Sequence, residues 1–174
     1  MAITVGNTNS ASSTVNTTAY SVTLDNNKDY VIGFVIGMHT SDTAKTVTAT
    51  YNSTAMTELI TETGTTTSRR YRISIFGLDA ATTGSNTLTA TFSGGMASCV
   101  LGAMCIDGEA DAPVGDTDTN VAGCVTSIVT TQANSIILSA ACVRSNTTPP
   151  TLTPEADQTE VVNTTPLSGN TDVV

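Results

Sequence analysis

The sequence predicts an all-β protein, a β-sandwich of jelly-roll or Ig-like type with about eight to ten antiparallel strands. Three observations predict it. Aliphatic residues alternate with threonine or serine over most of the chain, which is the period of a half-buried strand. Polar turn clusters interrupt that alternation every ~8–12 residues. No window carries apolar residues at helical spacing between recognisable caps.

Taken in order, Tyr20-Ser21-Val22-Thr23-Leu24 alternates and stops at the turn cluster Asp25-Asn26-Asn27. Tyr30 to Met38 is almost continuously apolar and reads as a central strand buried on both faces. Lys45 to Tyr51 sets Val47 and Ala49 against Thr46, Thr48 and Thr50, and Asn52-Ser53-Thr54 reads as a tight turn. Ala55 to Thr63 is expected to place Met56, Glu58 and Ile60 on one face and Thr57, Leu59 and Thr61 on the other. Gly64 to Ser68 reads as a polar loop tip. Arg69 to Leu78 puts Tyr71, Ile73 and Ile75 opposite Arg70, Arg72, Ser74 and Phe76. A loop over Ala80 to Ser85 leads to a short strand, Asn86 to Phe92, closed by Ser93-Gly94-Gly95. Ser98 to Ile106 reads as a second core strand, followed by an acidic loop from Asp107 to Asp118. Val121 to Thr130 and Ser135 to Val143 are two further expected strands. Beyond Arg144 the chain is rich in Thr, Pro and Asn, and only Thr159 to Asn163 looks like a strand. The 174 residues are read as one domain, with 145–174 less regular.

Composition narrows the function. Only 12% of the residues are charged, and 36 of the 174 are threonine, so hydroxyls rather than charges keep the surface wet. The net charge of −9 argues against binding a phosphate backbone or an anionic membrane. Aromatics are only 4%, which weakens a sugar-stacking surface. Tyr30 to Met38, the most apolar run, is too short to cross a bilayer as a helix. Met1 to Val5 lacks the basic and apolar regions of a secretory signal.

Few side chains suggest chemistry. His39 is the only histidine and sits close to Ser41 and Asp42, but sequence neighbours on one loop do not converge as a catalytic triad, and the expectation is no enzyme activity. Asp107, Glu109, Asp111, Asp116 and Asp118 are the candidate metal ligands. Hard cations such as calcium favour several carboxylates on a turning loop, although these five do not form a known calcium-loop pattern. Cys99 and Cys105 share a strand face at roughly 20 Å, too far to bond each other, so any disulfide must involve Cys124 or Cys142. The alternative is four small buried thiols. Arg69, Arg70 and Arg72 hold half of the chain's six basic residues. They are either charges guarding a strand edge or a contact for an acidic patch on a second copy.

Four motifs in order carry a resemblance. Val47-Thr48-Ala49-Thr50-Tyr51-Asn52-Ser53-Thr54-Ala55-Met56-Thr57 is similar to a strand, small turn and "a-[LM]-T". Arg72-Ile73-Ser74-Ile75-Phe76-Gly77-Leu78 is similar to an "[IV]-[WF]-x-L" strand. Gly84 to Gly94 is similar to "G-x-x-T-[VL]-T-[VA]-T-x-S-G", and Gly102 to Gly108, ahead of Pro113, is similar to a "G-[AG]-x-x-[FI]-x-G-v" strand and loop. Over residues 20–145 the chain resembles a non-catalytic β-sandwich domain of phage structural proteins and large bacterial surface proteins. The resemblance implies a virion structural subunit, for head decoration or tail association, that docks to copies of itself and to other virion or surface proteins. The alternative it implies is a secreted or cell-surface adhesion, filament-forming or glycan-binding module. In that family further strands follow the region resembling Thr159 to Val174, so either the sequence is incomplete or a strand from a neighbouring chain is expected to complete the sheet.

Overall fold

A computed structural model describes residues 3–40, 43–66, 69–107, 135–144 and 171–173. Its strands are β1 (Thr4–Ser13), β2 (Thr17–Asn26), β3 (Tyr30–His39), β4 (Val47–Tyr51), β5 (Thr54–Ala55), β6 (Thr57–Thr66), β7 (Arg69–Leu78), β8 (Gly84–Met96), β9 (Ser98–Asp107), β10 (Cys142–Arg144) and β11 (Thr171–Val173). Two antiparallel sheets form the sandwich, in the orders β1-β9-β3-β7-β6 and β2-β8-β4-β5. β10 and β11 pair separately. The all-β sandwich read from the alternation is the fold observed, and there is no helix among the described residues.

The core lies where the two sheets face each other. Leu24, Tyr51, Leu88, Ala90 and Phe92 from the four-stranded sheet meet Val31, Val35, Phe76, Leu101 and Ala103 from the five-stranded one. Glycine lets the layers approach closely at β3. A Cβ on Gly37 would stand 2.5 Å from Met96 Cε and 2.8 Å from Phe92 Cζ. The five-stranded sheet buries its outer face as well. Ile32, Ile75, Met104 and Ile106 form one cluster there, joined by Leu138 and Ala140, and Ile36 with Val100 forms another, joined by Cys142. This second buried face explains the unbroken apolar run of β3.

Two strands bend from one sheet to the other side by side. β1 continues into β2 through residues 14–16, and β8 into β9 through Ala97 alone. Such bends make the corners of a sandwich. Tyr20 holds this corner: its hydroxyl lies 2.9 Å from the Val15 carbonyl and 2.8 Å from that of Met96, while its ring meets Phe92 edge-on at 5.9 Å. Asn7 and Asn9 then donate from β1 to the Asp25 and Thr23 carbonyls of β2, each at 2.7 Å, closing that side of the sandwich.

Several local expectations are corrected. β1 carries no aliphatic alternation because its side chains are mostly exposed on both faces. Gly64 to Thr66 belongs to β6 rather than to a loop, and β8 runs through Ser93-Gly94-Gly95 to Met96. Those residues lie in a register shift against β2, with Thr17 opposite Met96 and Ala19 opposite Thr91. In β6 a bulge between Glu58 and Ile60 adds one residue, so Leu59 and Ile60 both pack on the outer cluster. The strict alternation expected for Ala55 to Thr63 therefore fails from Ile60 onward, while Leu59 keeps its expected place opposite Glu58. Of the strand expected at Ser135 to Val143, only residues from Cys142 onward join a ladder. Ser135 to Ala141 lies outside any strand, although its side chains still alternate in burial. The strands expected at Val121 to Thr130 and Thr159 to Asn163 lie outside the described residues.

Cys99 and Cys105 are buried between the sheets, whereas Cys142 packs on the opposite face with Ile36 and Val100, so it cannot reach either of them. All three are free thiols. Burial pushes the Cys142 thiol up to about 12 and raises that of Cys99 as well. Cys124 lies outside the described residues.

Candidate functional site

The inner face of the five-stranded sheet changes character along β7. The ladders align Gly33, Phe76 and Glu58; then Val35, Ser74 and Thr61; then Gly37, Arg72 and Thr63; and finally His39, Arg70 and Thr65. Phe76 is core. From Ser74 back to Arg70 the β7 side chains on this face are polar. Buried polar groups need partners there. Ser74 and Thr61 pair their hydroxyls at 3.0 Å. Arg72 reaches Glu58 at 2.8 Å and donates to the Lys45 carbonyl at 3.4 Å, with its side chain only 12% exposed.

These residues surround a small dent lined by His39, Lys45, Thr63, Thr65, Arg70 and Arg72. Its cavity of about 10 Å³ admits one water-sized group. His39 is buried in its wall at 3% exposure. Ser41 and Asp42 lie outside the described residues. Arg70 and Lys45 form no ion pair among the described residues, and the Arg72 Nε is buried without an acceptor there. The Lys45 ammonium lies over Gly94, where a Cβ would come within 2.6 Å of it.

The three arginines do not share one face. Arg70 and Arg72 point with Ser74 toward the dent, whereas Arg69 lies on the face of Tyr71 and Ile73. Arg72 is neutralised by Glu58 within the chain, which leaves Arg70 as the arginine of this face able to meet an outside carboxylate. Lys45 and Glu58 were not singled out from the sequence. They lie 27 and 14 residues from Arg72, and only the fold joins them.

Beside the dent runs the outer edge of β6. Thr63 N–H is turned away from β7 and donates to its neighbour Glu62 at 2.8 Å. From Thr61 to Thr66 the edge has no strand beyond it among the described residues, no proline and no basic residue. Such an edge offers a row of donors and acceptors to an added strand.

Of the five proposed metal ligands, Asp107 alone is described. It pairs with Lys28 at 2.9 Å and accepts from the Asp29 N–H at 3.1 Å, and Lys28 holds its carboxyl below the usual aspartate range. Glu109, Asp111, Asp116 and Asp118 lie outside the described residues. Among the described residues no three His, Cys, Asp or Glu side chains converge as a metal site.

Comparison with known proteins found no matching family model, curated protein or solved structure. The resemblance to phage and surface-protein sandwiches thus rests on the quoted motifs alone.

Proposed function

We propose that this chain is a virion structural protein, a capsid-decoration or tail-associated subunit that is not catalytic and works by self-association. The observation that carries self-association is the β6 edge from Thr61 to Thr66, a polar strand of a buried sheet with no strand beyond it among the described residues. The virion assignment draws on the motifs between residues 47 and 108. A low-charge, threonine-rich surface suits many weak contacts summed over copies.

The test has two parts. Sedimentation of the purified chain should show concentration-dependent oligomers, and Thr63→Pro should shift them to monomer, because proline removes an edge donor that the internal ladder does not use. An antibody to the chain should label particles released when the producing cells lyse. A chain that stays monomeric and never sediments with particles defeats the proposal.

One observation favours an adhesion or glycan-binding module as the second reading. The outer face of the four-stranded sheet is a hydroxyl ladder, with Thr48 and Thr50 of β4 opposite Thr91 and Thr89 of β8, and Thr89 opposite Ser21 of β2. Retention on immobilised polysaccharide without particle association would favour this reading.

A further inference from the structure

We propose that the dent at His39, Lys45, Arg70 and Arg72 is a carboxylate receptor, filled by an Asp or Glu side chain of a second copy docked along β6. This rests on the self-association reading and names the contact that would orient it. Charge is the first reason. Three of the six Lys and Arg residues of a chain with net charge −9 line this one dent, and two of them lack an acidic partner among the described residues. A second copy presents carboxylates in excess, so the complementary surface is the chain's own.

The second reason is which charges stay open. Arg72 gives one nitrogen to Glu58 and another to the Lys45 carbonyl, so the dent's cations without an acidic partner among the described residues are Arg70 and Lys45. Size is the third reason. A cavity of about 10 Å³ has room for one oxygen of a carboxylate. Place is the fourth. Thr63 and Thr65 line both the dent and the β6 edge, so a strand added to that edge passes the mouth of the dent.

The experiment compares the full chain with Lys45→Ala/Arg70→Gln and with Arg70→Gln alone, each checked for native thermal unfolding. Sedimentation equilibrium should show self-association weakened about tenfold or more in the double variant, as for loss of a charge-assisted contact. Independently, sodium acetate titrated into the dilute protein should move the backbone amide signals of Thr63, Gly64 and Thr65, with sodium chloride as the ionic-strength control. That response should vanish in Arg70→Gln. Unchanged association in folded variants overturns the carboxylate contact and leaves the β6 reading standing. A wild-type chain that never associates overturns the β6 reading and the docked copy together. Acetate shifts no larger than those of chloride overturn the receptor whatever the association state.

Discussion

Tyr20 shows how one polar atom can hold a bend. Its hydroxyl serves two carbonyls at the place where β1 passes to β2 and β8 passes to β9. Tyr20→Phe keeps the edge-on contact with Phe92 but removes the one O–H that the Val15 and Met96 carbonyls share. The variant should lose about 1–3 kcal/mol in urea unfolding with its slope unchanged. Asp107 makes a pH-dependent contribution whose direction follows from its partner. Its folded pKa lies below the ordinary value of 3.8, held there chiefly by the Lys28 hydrogen bond. The stabilisation is therefore complete above the ordinary value and is lost as pH falls through the lowered one. Asp107→Asn should be less stable than wild type at neutral pH, and the two should converge in strong acid when followed by denaturant midpoints.

Among elements, β6 and β7 make the contrast between an edge and a centre. β7 has neighbours on both sides, β3 and β6, whereas β6 has only β7 among the described residues. A proline at Thr63 should therefore leave the circular dichroism spectrum and melting temperature nearly unchanged, while a proline at Ser74 should unfold the chain. The sequence was legible in proportion to burial at this scale. β2, β3, β4, β7 and β9 stand out because one or both faces need aliphatic side chains. β1 was invisible because it is an exposed edge, and the inserted residue in β6 was invisible because a bulge leaves no mark on composition.

The whole molecule has three layers in one region rather than two. Leu138, Ala140 and Cys142 lie on the outer face of the five-stranded sheet, over Ile32, Ile36, Ile75, Val100 and Met104. A chain ending at Asp107 keeps both sheets yet loses this cover. An exposed patch of that kind promotes association. The truncated chain should bind the dye ANS and aggregate at concentrations where the full chain stays dispersed.

Sequence alone determined the all-β class, the centrality of β3 and β9, and the turn at Asn52-Ser53, whose positive φ angles of 47° and 66° suit a tight hairpin. These are local or periodic properties, written wherever side chains must alternate between a dry and a wet side. Only the tertiary structure decided which sheet each strand joins, that Arg72 meets Glu58 across a hairpin, and that His39, Lys45 and Arg70 meet at one end. Those juxtapositions depend on register and on where strands change sheets. A single inserted residue or a one-residue bend resets both without altering the pattern that announces a strand.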